Sequence, residues 1–137
     1  MKKTLLKKKL ILIIGGTGFI GYNLANFFIK KNYDILSISR SRAPKGRKLK
    51  KVKYLHVDIS KNQLLKKKIK KYLNIDYVIN LGGEVEHNNF AKVYQSHFIG
   101  LKNISNIFLK KKIKRFIQIG SSMEYGKKKS PQTEKSL

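Results

Sequence analysis

A five-residue apolar run, Leu10-Ile-Leu-Ile-Ile14, breaks into glycines at positions 15, 18 and 21 and passes directly into helix-patterned sequence. Few folds accommodate strand, glycine turn and helix in that order. Gly15 allows a tight turn out of the strand, Gly18 allows the backbone to approach a ligand closely, and Gly21 allows the helix to lie against the strand. The first turn of the helix presents unpaired N–H groups and the positive end of its dipole, which suits the pyrophosphate of a dinucleotide. Leu10–Ile14 reads as a buried parallel strand, and Ile20, Leu24, Phe27 and Phe28 as one apolar helix face. An ordinary glycine turn is the bland alternative. A mononucleotide P-loop is excluded, because Gly21 is followed by Tyr22-Asn23 and not by Lys-Ser/Thr.

The chain of 137 residues has room for one domain with a real core. It lacks cysteine, which removes disulfides and thiolate metal sites, and no metal site is suggested by its three histidines. Met1–Leu10 looks briefly like the basic start of a signal peptide. However, the apolar run after it is too short and enters the glycine turn at once. No stretch approaches the roughly 20 apolar residues of a membrane span, so a cytoplasmic, soluble protein is expected.

A net charge of +25 raises the question of nucleic acid. Lysine runs at 7–9, 66–68, 110–112 and 127–129 are spread along the chain, and 28 Lys stand against four Arg. Sequence-reading domains lean on Arg for bidentate geometry, and single-strand binders interleave basic stripes with aromatics. Neither pattern is present. The composition resembles the drift of an AT-rich genome, and several runs fall where a helix ends and cations suit the dipole. Specific nucleic-acid binding is not expected, whereas loose, salt-sensitive adhesion to polyanions is.

Further strands are predicted at Asp34–Ser39, Val52–Val57, Tyr77–Leu81 and Arg115–Ile119. A crossover helix is predicted over Lys61–Tyr72 with Leu64, Leu65 and Ile69 inward. A longer one follows the fourth strand, its inward stripe Val93, His97, Leu101, Ile104 and Phe108. This alternation implies an α/β, Rossmann-like, doubly wound parallel sheet of five strands in the order 3-2-1-4-5. The tail after Gly126 is polar and has no element of its own.

In such a sheet, ligands bind beyond the carboxyl ends of the strands. The candidate cofactor-binding residues are Gly15, Thr17, Gly18, Phe19, Ile20 and Gly21 in the turn, Ser39 and Arg40 after the second strand, Asp58 and Ile59 after the third, and Leu81, Gly82 and Gly83 after the fourth. The end of the second strand faces the adenosine ribose. An acid there accepts from a 2′-hydroxyl, whereas an Arg holds a 2′-phosphate. Ser39-Arg40, with Arg42 nearby and no acid, favours NADP over NAD; the alternative is that Arg40 is one more solvated base. Asp58 either accepts from the adenine amino group or caps the next helix in competition with Ser60. Gly82-Gly83 either admits the cofactor or is only a turn.

Gly15-Gly-Thr-Gly-Phe-Ile-Gly21, Asp58, Asn80-Leu-Gly-Gly83 and Phe116-Ile-Gln-Ile-Gly-Ser-Ser-Met-Glu-Tyr-Gly126 together resemble the extended short-chain dehydrogenase/reductases. These are NAD(P)-dependent nucleotide-sugar epimerases, dehydratases and reductases. The resemblance runs from Leu10 to about Glu134 and implies that Ser121 is catalytic, hydrogen-bonding the substrate oxygen. A hydroxyl capping a strand end is the bland reading of Ser121. The family's 4,6-dehydratases carry Asp-Glu after that position. Here it is Ser122-Met123, with Glu124 one place too late, which disfavours a dehydratase of that type. The helix after the fourth strand carries His97 where the family usually has Asn, and Leu101 where it has Thr, while Gly100 and Asn103 fit.

The family's acid/base Tyr-x-x-x-Lys lies two to three dozen residues beyond the serine, its Tyr tuned down from a phenol pKa of about 10. Tyr125-Gly-Lys-Lys-Lys129 matches the spacing, but it is expected by chance among so many lysines and lies in a loop. The chain therefore reads as a C-terminally truncated portion. Residues 1–126 form its NAD(P)-binding domain, and 127–137 form the start of a substrate-binding region. An uncovered, apolar fifth strand at the sheet edge agrees with truncation. The expected function is the cofactor-binding part of a nucleotide-sugar epimerase or reductase, inactive alone. The alternative is a non-catalytic dinucleotide-binding or sensing module. A nucleotide sugar is the expected substrate of the full-length protein, and a homodimer is an arrangement that relatives often adopt.

Overall fold

Aliphatic and β-branched runs only four to six residues long can satisfy their backbone groups when buried only by pairing on both sides. In the computed structural model, which describes residues 8–72, 74–86, 88–126, 131 and 133, they do so as one parallel sheet. Its strands are β1 (Leu10–Ile14), β2 (Asp34–Ser39), β3 (Val52–His56), β4 (Tyr77–Asn80) and β5 (Arg115–Gln118), in the predicted order β3-β2-β1-β4-β5. Leu12 lies opposite Leu36 on one side and Val78 on the other, and Val78 opposite Phe116. The predicted strands each run one residue too far at β3, β4 and β5, where the chain turns into the loops above the sheet.

Side chains alternate between two cores, as the period of a strand requires. Ile11, Ile13, Ile35 and Ile79 pack on one face beneath helix α1 (Phe19–Lys30). Leu12, Ile14, Leu36, Ile38 and Val78 pack on the other against Leu65 and Ile69 of α2 (Asn62–Ile69) and Ile104 and Phe108 of α4 (Gly100–Phe108). A four-residue α3 (Phe90–Val93) and a π-helical segment (Tyr94–Ile99) lead into α4 without a break. No described helix is long and apolar enough to cross a membrane.

Helix faces differ from the hydrophobic reading. Of the predicted face of α1, Leu24 and Phe28 pack half-buried against the core, whereas Ile20 and Phe27 are 58% and 53% exposed, and the fully buried positions are Gly21 and Ala25. The glycine turn brings the start of this helix so near the strand that a Cβ at Gly21 would meet backbone. Leu64 is exposed on the shorter α2. On the last helix His97 is exposed and Leu101 half-buried, while Ser96, Gly100 and Asn103 face inward. A stripe read from apolar residues alone passed over these small and polar ones. The predicted polar tail lies almost wholly outside the described residues, as do His87 and the first seven residues.

Candidate functional site

The turn after β1 is built as its glycines predict. Gly15 adopts φ 77°, a conformation that L side chains rarely tolerate, and its N–H donates to the Ile38 carbonyl at 2.8 Å. The Gly18 N–H returns to the Gly15 carbonyl at 3.0 Å, closing the loop. A Cβ on Gly21 would strike that same carbonyl oxygen and lie 2.6 Å from the Gly16 Cα. Gly18 is the cap residue of α1; no side chain caps the helix and no acid stands in its first turn. Its leading N–H groups and the positive end of its dipole therefore face the open end of the sheet.

That end forms a cleft of ≈ 300 Å³. It brings together ten of the predicted residues, namely Gly15, Thr17, Gly18, Ser39, Arg40, Asp58, Ile59, Leu81, Gly82 and Gly83. Phe19 and Ile20 lie outside it and are exposed, and Gly21 lies beneath the turn as a packing residue.

Each wall has its own support. Ser39 Oγ accepts from the Thr17 N–H at 3.4 Å, a long bond that ties β2 to the glycine turn. Asp58 Oδ1 accepts the Ser60 N–H at 2.9 Å and its carbonyl accepts the Lys61 N–H at 3.0 Å, a local turn that caps the loop and not α2. The buried Asn103 Nδ2 donates to the Ile59 and Ser60 carbonyls at 2.9 and 3.0 Å, and Gly100 makes room for the Ile59 side chain. Asn80, buried at the end of β4, accepts from the Gly82 N–H at 3.0 Å and donates to Gln118 Oε1 at 2.7 Å.

The glycine pair is shaped by its neighbours. A Cβ on Gly82 would lie 2.8 Å from Ile14 Cγ2, and one on Gly83 would lie 2.5 Å from the His97 ring. His97 Nε2 stands 3.0 Å from the Glu84 backbone nitrogen and 3.1 Å from its carbonyl oxygen. Unprotonated it accepts from the first, and as N–H it donates to the second. At the rim, Arg40 Nη2 donates to Glu84 Oε2 at 3.1 Å. The Arg40 guanidinium, followed by the Glu86 N–H, holds the Glu84 carboxyl below its usual range against a smaller opposing effect of desolvation.

Residues 11–137 match the model of the NAD dependent epimerase/dehydratase family. The chain belongs to that family. No curated protein matches it in sequence. Among solved structures, it is similar to an epimerase of Methanothermobacter thermautotrophicus at 22% identity and a TM-score of 0.83, covering 95% of this chain and 41% of that one. The Bordetella bronchiseptica enzyme WbmG, solved with NAD and UDP, is 19% identical at a TM-score of 0.76, covering 85% of this chain and 38% of WbmG. UDP-glucose 4-epimerase of Thermotoga maritima, solved with UDP-glucose, is 20% identical at a TM-score of 0.72, covering 80% of this chain and 37% of the enzyme. The chain thus spans about two fifths of the length of these proteins.

In this epimerase/dehydratase-family chain the residues present fit a dinucleotide. Gly15 and Gly18 line the cleft without side chains of their own, and the uncapped helix beside them offers donors to phosphate. Ser121 does not line that cleft. It is exposed after β5, just before a short 3₁₀ helix (Ser122–Tyr125). Glu124 folds back so that its Oε1 accepts the Ser121 N–H at 2.8 Å, against Gly120, while the Ser121 carbonyl accepts the Glu124 N–H at 3.1 Å. Glu124 thus supplies the acid half of a capping box. The spacing Ser121-x-x-Glu124 was the signal for it. The pairings of Asn80 with Gln118 and of Glu84 with Arg40 had no such signal, because those partners lie 38 and 44 residues away.

Proposed function

We propose that the chain is the cofactor-binding part of an NAD(P)-dependent nucleotide-sugar epimerase or reductase. The observation that carries this reading is Gly15 at φ 77°, which opens the cleft directly onto the uncapped start of α1. Residues 1–126 form the binding domain, and 127–137 lead toward a substrate-binding region. The structures solved with NAD, UDP and UDP-glucose support the same ligand classes here.

Gly15, Thr17 and Gly18 hold the pyrophosphate, with Phe19, Ile20 and Gly21 carrying the helix start that faces it. Ser39 and Arg40 meet the adenosine ribose, and Asp58, Ile59, Leu81, Gly82 and Gly83 form the slot for adenine. Arg40 favours NADP over NAD by its fit to a 2′-phosphate. When bound, the nicotinamide supplies the hydride acceptor or donor for a sugar carbon. Ser121 hydrogen-bonds the sugar oxygen at that carbon and steadies it while its proton moves to or from a tyrosine outside this chain.

Calorimetric titration of the purified protein with NADP⁺ and NAD⁺ tests the reading. Weak, saturable binding of a dinucleotide with no turnover of UDP-sugars is expected. No binding of either sinks the cofactor assignment, and turnover by residues 1–137 alone sinks the view that the acid/base lies elsewhere.

A further inference from the structure

The cation that the dinucleotide reading assigns to the adenosine ribose already has a partner. Arg40 is the first residue after β2, and Glu84 lies in the loop after β4. Those strands flank β1, so the 3.1 Å ion pair bridges loops from strands about 10 Å apart, two strand spacings. Arg40 lines the cleft, and Glu84 sits between two residues that do, Gly83 and Val85.

We propose that Glu84 is a specificity-determining residue, an internal carboxylate holding the place on Arg40 that a 2′-phosphate would take. The inference rests on the dinucleotide reading above. Glu84 is not a wandering surface acid. Its backbone is fixed at the His97 ring, which reaches it only because Gly83 lacks a Cβ. Its Oε1 accepts the Val85 N–H at 3.1 Å, with the Glu86 N–H at 3.4 Å, leaving Oε2 aimed at Arg40. Its side chain is 12% exposed against 48% for Arg40, so the acid is the anchored partner and the guanidinium the one free to swing.

Carboxylate and phosphate engage a guanidinium through the same fork geometry and compete for it. A ligand carrying a 2′-phosphate must break the Arg40–Glu84 pair and bring its own negative charge beside Glu84. A ligand with a 2′-hydroxyl need do neither. Glu84 therefore lowers affinity for NADP selectively and narrows the preference that Arg40 alone would confer.

The test is calorimetric titration of the wild type, Glu84→Gln, Arg40→Gln and the double variant. The ligands are NADP⁺ and NAD⁺, with 2′,5′-ADP and 5′-AMP as minimal probes that differ only in the 2′-phosphate. Glu84→Gln should tighten NADP⁺ and 2′,5′-ADP about tenfold and change NAD⁺ and 5′-AMP less than twofold. In the Arg40→Gln background the gain should fall below twofold. Glu84→Asp, which keeps the charge but draws it back by one methylene, should give a smaller gain, again selective for the 2′-phosphate. It decides the matter if Glu84→Gln does not fold. Equal shifts for both dinucleotides, or none, overturn the role of Glu84 and leave the cofactor reading standing. Failure of every variant to bind either dinucleotide overturns that reading, and this inference with it.

Discussion

Asn103, buried in the last helix, holds the carbonyl of Ile59 at 2.9 Å, forty-four residues earlier in the chain. The same amide nitrogen reaches Ser60 at 3.0 Å, so one side chain fixes the loop that carries Asp58 and Ile59 into the cleft. Asn103→Leu keeps the branched shape but strands two carbonyls. A destabilisation of about 2–3 kcal/mol is expected, with a lower Tm and weaker dinucleotide binding. Urea unfolding and titration read the two effects. An unchanged midpoint would show that the loop holds itself.

Two glycines should respond oppositely to the same substitution. A methyl on Gly21 collides with the backbone of the turn, at the Gly15 carbonyl and the Gly16 Cα, and backbone has little room to yield. Gly21→Ala should cost about 3 kcal/mol. Gly46, in the 3₁₀ turn Lys45–Arg47, has nothing within 4 Å of the same position. Gly46→Ala should be neutral or stabilise by up to about 1 kcal/mol through the unfolded chain. Melting curves of the two variants, recorded side by side, check the contrast.

These pairings show where the sequence was legible. The strands announced themselves as apolar runs, and their alternation with helices after a dinucleotide-type glycine turn pointed to the order 3-2-1-4-5, the order that formed. The glycine turn carried its own conformation in its residue types. Helix faces were harder, because packing decided them. Gly21, Ser96, Gly100 and Asn103 face inward through small size or a hydrogen bond, and neither registers as hydrophobicity. The π-helical segment Tyr94–Ile99 leaves no mark in the apolar spacing of the sequence. The Arg40–Glu84 pair depends on two loops meeting above β1, a relationship that no local pattern encodes.

Acid should weaken the fold through Asp76. Its carboxylate accepts the Leu10 N–H at 2.9 Å and pairs with Lys114 at 3.2 Å, tying the start of β1 to the loop before β5. Burial raises its pKa, but the Leu10 amide and the Lys114 ammonium together outweigh that and leave it below the usual range. A folded pKa below the unfolded one stabilises fully above the unfolded value of about 4 and is lost as pH falls through the folded one. Stability measured by urea from pH 6 downward should therefore decline below about pH 4. Asp76→Asn keeps an acceptor for Leu10 but removes the charge, and it should flatten that part of the profile. A wild-type slope unaltered in the variant would assign the acid loss to other carboxylates.

Ser37 makes the last prediction, one of gain. Its hydroxyl is buried beneath the glycine turn, with no hydrogen-bond partner among the described residues, and it faces the position a Cβ of Gly16 would occupy. A buried hydroxyl without a partner keeps its desolvation cost and returns nothing for it. Ser37→Ala removes the polar atom with little change in volume and should raise stability by roughly 0.5–1 kcal/mol, leaving the turn in place. A Tm that falls instead would mean that the hydroxyl has a partner in solution, with a bound water beneath Gly16 the first to look for.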